Sequence, residues 1–95
     1  MDLKRNVRIY IGLEDSEGEK YSPEQVKKLA DRFLSEGYTF FLGEGAWKGT
    51  REPVAVIDWA GDMPGRIFDF AKEAKRILNQ ESILVTLGPV EILFF

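Results

Sequence analysis

Residues 38–60 read YTFFLGEGAWKGTREPVAVIDWA. Two apolar runs, YTFFL and PVAVIDWA, flank residues 43–53, which contain three glycines, one tryptophan and two cations. Both runs are rich in β-branched and aromatic residues and are too short for helices of normal length, which is typical of strands. The stretch therefore predicts a β-hairpin in the middle of the chain, with the glycine-rich segment at its tip.

The segment before the hairpin, residues 22–37, predicts an amphipathic helix with both ends marked. Ser22 is a suitable N-cap, and Gln25 three residues later completes a capping box. Gly37 is a natural helix terminator. The apolar residues repeat at helical spacing and form one stripe: Val26, Leu29, Ala30, Phe33 and Leu34.

The segment after the hairpin, residues 62–80, predicts a second amphipathic helix. Asp62 and Pro64 provide its start signals. Phe68 falls on the outer side of the helix, as a further contact or as a lone exposed aromatic. The expected buried face comprises Ile67, Phe70, Ala71, Ala74, Ile77 and Leu78.

Two further apolar segments complete the predicted sheet. Residues 6–14, NVRIYIGLE, alternate with the period of a strand, and the polar residues 14–21 after them predict a loop. Residues 82–87, SILVTL, predict the last regular strand; Gly88-Pro89 is expected to break it, and VEILFF either resumes it or forms a short fifth strand. The order βαββαβ, with right-handed crossovers, predicts an α+β ferredoxin-like sandwich spanning residues 1–95 as one domain. Its antiparallel sheet has strand order 4-1-3-2, with both helices on one face.

The strands carry more apolar surface than two helices on one face can cover. A strand with one solvated face should alternate, but several runs here are continuously apolar. An uncovered second face would exceed the apolar patch that soluble monomers tolerate. Either the C-terminal tail or another subunit must cover it, and six residues shield only part of a four-stranded sheet. A homo-oligomer, a trimer or a dimer, is the expected state.

Composition excludes several classes of function. The 95 residues include no cysteine and no histidine, which removes disulfides, thiolate chemistry and zinc fingers. Any metal would have to be a hard cation held by carboxylates, and neither a metal nor a cofactor is predicted. The net charge of −3 disfavours non-specific nucleic-acid binding. No apolar run approaches the length of a membrane span, and the N-terminus lacks an apolar leader, so no membrane partner and a cytoplasmic location are expected.

The glycine-rich segment admits two interpretations. In the first, its glycines turn backbone N–H groups toward an anion, its cations supply charge and its tryptophan offers a stacking surface. In the second, the glycines serve a turn and a bulge. The candidate ligand-binding residues are Gly43, Gly45, Trp47, Lys48, Gly49 and Arg51, with Tyr10, Trp59 and Arg8 as secondary candidates on the face opposite the helices or at a strand end.

The segment GYTFFLGEGAWKG resembles the second strand and following loop of the PII signalling family. The positions that match the family pattern are Gly37, Thr39, Gly45, Lys48 and Gly49. The resemblance implies the same fold order, trimers that pack their sheets together, as in the related CutA proteins, and nucleotide binding. This chain has a much shorter loop and no close copy of the other nucleotide-binding motifs. The pattern also resembles small phage-encoded proteins with a GxWKG hairpin, which would act on a host pathway.

Two rival functions meet specific obstacles. IYIGLE resembles the first signature of the RNA recognition motif, with Tyr10 as the stacking aromatic, but the third strand, EPVAVIDW, has aliphatic residues where that family needs aromatics. Catalysis by carboxylates would use Asp58 with Asp62, or Glu44 with Glu52. The alternative is that Asp62 caps the second helix and that the glutamates are solvated hairpin charges.

The sequence thus favours a non-enzymatic, oligomeric binding protein. Its expected ligand is a small anionic molecule, such as a nucleotide or nucleotide signal, held in a cleft between subunits. The alternative is a protein–protein interaction or inhibitor module; RNA binding or a carboxylate-based enzyme comes third. No catalytic residue is assigned.

Overall fold

A computed structural model describes residues 4–61 and 65–90, apart from the side chains of Trp47 and Val90. Four strands and two helices alternate in the predicted order βαββαβ. Their bounds are β1 Lys4–Gly12, α1 Pro23–Phe33, β2 Thr39–Trp47, β3 Thr50–Gly61, α2 Gly65–Ile77 and β4 Leu84–Val90.

The strands form one antiparallel sheet in the order β2-β3-β1-β4. This is the predicted order, counted from the opposite edge, and the α+β ferredoxin-like fold is confirmed. β1 and β3 lie in the centre, while β2 and β4 form the edges.

Both helices cover the same face of the sheet, here called the helix face. Val7, Ile9 and Ile11 of β1 are fully buried there, and the apolar stripes of both helices cover these residues. Phe33 of α1 and Phe70 of α2 meet with their ring centroids 6.4 Å apart. Full burial of a side chain such as Phe70 contributes about 1.5–3 kcal/mol. The core comprises Val7, Ile9, Ile11, Val26, Leu29, Ala30, Ala55, Ile57, Ile67, Phe70, Ala74 and Leu78, with Leu13 and Leu34 at its border.

The signals predicted for α1 are confirmed. The Gln25 backbone N–H donates to the Ser22 hydroxyl at 3.3 Å, and the Ser22 N–H donates to the Gln25 side-chain oxygen at 2.7 Å. The helix ends at Phe33, and Gly37 follows with φ 143°, a value that favours glycine. The predicted start signals of α2, Asp62 and Pro64, lie outside the described residues.

Two details of the apolar surface differ from the sequence-based expectation. Ile77, expected in the buried face of α2, is 44% exposed, although Leu78 directly after it is buried. Phe68, expected on the outer side, is partly buried against the core. It follows Ile67 by about 100° around the helix and therefore lies at the border of the buried stripe.

The expected break at Gly88-Pro89 is wrong, because β4 continues through both residues to Val90. Gly88 pairs with Asn6, and Pro89 pairs with Arg5. Proline is tolerated here because β4 is an edge strand, where a missing N–H leaves no neighbouring strand unpaired. The question of a fifth strand falls on residues 91–95, outside the described part. No helix in the described ranges has the length and apolar character needed to cross a membrane.

Candidate ligand-binding site

The glycine-rich segment forms a continuous hairpin, here called the arm (residues 43–53). β2 and β3 stay in register until Trp47 pairs with Thr50, with no bulge between them. Lys48 and Gly49 form a two-residue turn, with φ values of 50° and 81°. Two positive φ values are the signature of a type I′ turn, whose twist matches that of paired strands. The arm is thus a regular hairpin with a tight turn, and the bulge that the second interpretation included is absent from it.

The register separates the candidate residues onto two faces. Gly43 and Gly45 pair with Val54 and Glu52 on the sheet face without helices, here called the open face. Arg51 belongs to the opposite face of the arm, because side chains alternate along a strand. The Arg51 guanidinium donates to the Glu44 carboxylate at 3.2 Å, and both side chains are exposed. Arg51 and Glu52 therefore lie on opposite faces of β3, although both residues line one shallow depression of the arm together with Gly43.

The turn residues and the tryptophan remain candidates on different grounds. Lys48 is exposed in the turn, and Gly49 supplies its left-handed position. Trp47 ends β2, but its side chain is outside the described part of the structure. Its stacking role stays a prediction.

Tyr10 and Trp59 lie on opposite faces of the sheet. Tyr10 pairs with Val56 and is half-buried on the open face. Trp59 pairs with Val7, so it shares the helix face with the core and is partly buried against it. Its ring lies over Gly61, where an added Cβ would come within 2.6 Å of Trp59 Cζ2. The alternation of β3 therefore separates Trp59 from the other candidates and gives it a packing role.

The open face carries a carboxylate directly above the backbone of β1. A Cβ added at Gly12 would lie 3.1 Å from both carboxylate oxygens of Glu52. No ion-pair partner of Glu52 is found within residues 4–61 and 65–90. Gly12 belongs to the site but was not among the sequence-based candidates, and Glu52 was considered only as a possible acid–base group. A register counted outward from the Lys48-Gly49 turn would have placed Glu52 opposite Gly45.

Beside this carboxylate, four residues in direct register cross the whole sheet on the open face. Phe41 pairs with Val56, Val56 with Tyr10, and Tyr10 with Leu84; we call this set the apolar row. Tyr10 is two residues from Gly12, about 7 Å along the strand. Aromatic surface and a carboxylate are thus adjacent. The aliphatic residue beside Tyr10 agrees with the argument against an RNA recognition motif.

On the other side of the apolar row lies a polar row with an internal ion pair. Arg8 Nε donates to Asp58 Oδ2 at 3.1 Å, and Asn6 Nδ2 donates to Asp58 Oδ1 at 2.6 Å. A hydrogen bond with Tyr10, followed by the hydrogen bond and charge of Asp58, raises the pKa of Arg8. The Asp58 carboxylate therefore accepts hydrogen bonds from two neighbouring side chains. The proposed pairing of Asp58 with Asp62 involves a residue outside the described part.

Within the described ranges, no group of three or more acidic residues is placed to hold a metal ion. A shallow depression on the arm is lined by Gly43, Glu44, Arg51, Glu52 and Pro53. The chemistry that this region offers is recognition: a carboxylate acceptor, an exposed backbone at the glycines and two aromatic rings nearby.

Fold and site together define a ferredoxin-like α+β protein with a candidate ligand site on the helix-free face of its sheet. A phage SAM lyase in complex with S-methyl-5′-thioadenosine is 20% identical, with a TM-score of 0.76 over 90% of this chain and 80% of that chain. A phage SAM lyase in the apo state is 18% identical, with a TM-score of 0.70 over 92% and 81%.

CPII, a nitrogen regulatory PII-like protein from Thiomonas intermedia K12 bound to ADP, AMP and bicarbonate, is 14% identical, with a TM-score of 0.62 over 98% and 96%. No protein-family model and no curated protein matches the sequence. The predicted resemblance to PII-like and phage proteins is confirmed, and at these identities it concerns the fold.

Proposed function

We propose that this chain binds a small molecule with an adenosine moiety, held on the open face beside Glu52. The observation that carries the proposal is the Glu52 carboxylate above Gly12, two residues along β1 from Tyr10, with Phe41 two strands away from Tyr10 in the same row. A carboxylate accepts hydrogen bonds from paired hydroxyl groups such as those of ribose. An aromatic ring offers a purine a stacking surface.

The ligands of the structural neighbours support the choice of adenosine. The phage SAM lyase holds S-methyl-5′-thioadenosine, and the PII-like protein holds ADP and AMP. These three compounds share the adenosine group and differ in the substituent at its 5′ position. Recognition of the adenosine group is therefore the simplest property for proteins of this fold to share.

The charges on the open face favour a ligand without phosphate. The sequence-based hypothesis of an anionic ligand relied on Lys48 and Arg51, but Arg51 is paired with Glu44 on the other face of the arm. Glu52, on the glycine side, repels a nearby phosphate and attracts a cation. We expect a neutral or cationic adenosine derivative to bind more tightly than AMP or ADP.

The oligomeric state and the location belong to the same proposal. The ligand site is placed in a cleft between subunits of a homo-oligomer, a trimer or a dimer, that acts in the cytoplasm. The PII-like fold and the exposed open face support the assembly.

Thermal-shift and calorimetric titrations with adenosine, S-methyl-5′-thioadenosine, S-adenosylmethionine, AMP and ADP test the binding proposal. A ligand raises the melting temperature in proportion to RT ln(1 + [L]/Kd). Glu52→Gln is expected to weaken the binding of adenosine and of the cationic S-adenosylmethionine at least tenfold. It should weaken the binding of AMP less, because the substitution removes the repulsion of the phosphate together with the hydrogen-bond acceptor.

Glu44→Gln is the matched control, since it removes a carboxylate from the other face of the same arm. It is expected to leave binding unchanged. Equal losses in both variants, or no binding of any of the five compounds, would contradict the proposal.

Cleavage of S-adenosylmethionine is the second candidate function, favoured by the likeness to the phage SAM lyase over 90% of this chain. In such a reaction the bond from sulfur to the γ-carbon of the four-carbon fragment breaks, and its electron pair stays on sulfur as S-methyl-5′-thioadenosine forms. The carboxylate of the fragment bonds to that carbon at the same time, so the fragment leaves as a lactone. A carboxylate near the sulfonium would hold the substrate by charge. Incubation with S-adenosylmethionine, followed by chromatography, tests it: the thioether accumulates with the wild-type chain, whereas a pure binding protein leaves the substrate intact.

A further inference from the structure

Gly12 differs from the other glycines of the chain in what lies over its backbone. A Cβ added there would meet one carboxylate, with both Glu52 oxygens at 3.1 Å and the carboxyl carbon at 3.3 Å. The corresponding position is open at Gly88, and at Gly45 it faces a methyl group of Val54, 2.9 Å away. Gly12 has no positive φ, so its backbone conformation does not require glycine. Its missing side chain instead makes room for the carboxylate.

The Glu52 side chain reaches this position diagonally across the open face. Glu52 pairs with Gly45 on β2, whereas Gly12 pairs with Val54, two residues further along β3. Residues two apart along a strand are about 7 Å apart. The carboxylate therefore lies one row closer to Tyr10 than the backbone of its own residue does.

This diagonal position brings an acceptor and a ring within reach of one small ligand. Glu52 and Tyr10 are both half-buried, so part of each side chain is accessible on the open face. An ionised carboxylate has two acceptor oxygens, which suit the two neighbouring hydroxyl groups of a ribose. Because a single row separates the carboxylate over Gly12 from the row of Tyr10, a nucleoside can donate to one and stack on the other.

We propose that Gly12 is a positioning residue, which holds the Glu52 carboxylate where it selects a ligand with an intact ribose diol. This inference rests on the proposed function and adds the group of the ligand that the site distinguishes. A side chain larger than alanine at position 12 would occupy the place of the carboxylate. Glu52 would then return toward its own row, and the ribose hydroxyls would lose their acceptor.

A graded pair of substitutions tests the proposal. In Gly12→Ala, the flexible Glu52 side chain relieves the contact by moving a few tenths of an ångström, so adenosine affinity is expected to fall roughly twofold. Gly12→Val fills the space further and is expected to weaken adenosine at least tenfold. Valine is favoured in strands, which helps to preserve the fold. Gly88→Val is the matched control, because Gly88 is a strand glycine of the same face with an open Cβ position; it should leave the affinity unchanged.

A second ligand separates positioning from general damage to the site. The compound 2′,3′-dideoxyadenosine keeps the purine and lacks both hydroxyl groups. In calorimetric titrations, the wild type is expected to bind adenosine at least tenfold more tightly than the dideoxy compound, whereas Gly12→Val should bind both about equally. Equal proportional losses for the two ligands would mean that Gly12 has only a structural role and would overturn the inference. Wild-type discrimination in Gly12→Val would overturn it as well.

Glu52→Asp provides a second variant if Gly12→Val does not fold. Aspartate keeps the charge but is shorter by one methylene group, so its carboxylate cannot extend over Gly12 as that of glutamate does. It is expected to lose the discrimination between adenosine and the dideoxy compound. Discrimination that persists in Glu52→Asp would contradict the positioning role.

A measurement without ligand distinguishes this inference from the binding proposal. The ¹³C chemical shift of the Glu52 carboxyl carbon reports the surroundings of that group. It is expected to change in Gly12→Val and to stay constant in Gly88→Val. If the wild type binds none of the adenosine compounds, the binding proposal fails, and the carboxyl shift still decides the position of Glu52: an unchanged shift in Gly12→Val overturns the inference.

Discussion

Single carboxylates organise this chain in two different ways. Glu52 lies over a glycine with no described ion-pair partner, while Asp15 is surrounded by donors. Asp15 accepts the Glu17 and Glu19 backbone N–H groups at 2.9 Å each and the Tyr21 hydroxyl at 2.7 Å. The Asn79 amide adds a contact at 3.3 Å. Asp15 therefore holds the β1–α1 loop and joins it to the end of α2.

Tyr21→Phe is expected to raise the pKa of Asp15 toward its ordinary value, because the hydroxyl bond is the largest cause of its lowering. Asp15 contributes stability above its unfolded pKa and loses it as pH falls through the lower folded value. The same bond raises the pKa of Tyr21 to about 12, so its contribution is present below the ordinary tyrosine pKa and is lost as pH rises toward 12. NMR titration of the Asp15 carboxyl measures the change. Asn79→Ala removes a smaller contributor and should raise this pKa less; the reverse order would contradict the assignment.

At the scale of elements, the helices were predictable because their signals are local. Ser22 and Gln25 cap α1 within four residues, and alternation in β1 identifies its buried side. The face of each arm residue was not predictable without the turn, because Lys48 is a weak type I′ signal compared with asparagine or aspartate. One residue of register exchanges the two faces of a strand. For this reason Arg51 was grouped with the glycines and Glu52 was not.

The course of β4 shows a second limit of local signals. Gly88-Pro89 has the composition of a strand break, but only pairing with β1 on one side determines that proline is harmless there. Whether a strand lies at the edge or in the centre depends on the arrangement of the whole sheet. Trp59 illustrates the same point, since its face follows from its pairing with Val7.

Gly49→Ala is expected to destabilise the protein by about 1–2 kcal/mol, since a side chain is strained in the left-handed region that this residue occupies. The turn joins β2 to β3, so the strain acts on the whole sheet. Urea unfolding followed by circular dichroism measures the difference. Gly43→Ala is the control in the same arm: its φ is not positive and its Cβ position is open, so no loss is expected. Equal destabilisation by both would contradict the turn assignment.

At the scale of the whole molecule, ligand binding and assembly are proposed for one face of the sheet. The core lies between the helices and the helix face, and the open face carries both the apolar row and the Glu52 carboxylate. Rows two residues apart along a strand are about 7 Å apart. In the proposed assembly, a second copy over the apolar row would exclude water from the neighbouring site, which would strengthen a hydrogen bond between Glu52 and a ligand.

If association stabilises the folded chain, the melting temperature must depend on protein concentration. A partner at about 100 times its dissociation constant adds about 2.7 kcal/mol. For a domain of this size, each 1 kcal/mol corresponds to roughly 4–8 °C. Dilution from that concentration to well below the dissociation constant is therefore expected to lower the melting temperature by roughly 10–20 °C. Scanning fluorimetry across a dilution series measures this.

Pairs of lysine substitutions on the two faces of the sheet test this dependence. The Phe41→Lys, Leu84→Lys variant should melt at one temperature throughout the dilution series, because its folded state no longer gains from association. The Leu42→Lys, Leu87→Lys variant should keep the slope of the wild type, since those residues lie on the helix face. A wild type whose melting temperature does not change on dilution, at concentrations where ultracentrifugation records dissociation, would mean that the open face is stable in water without its partner.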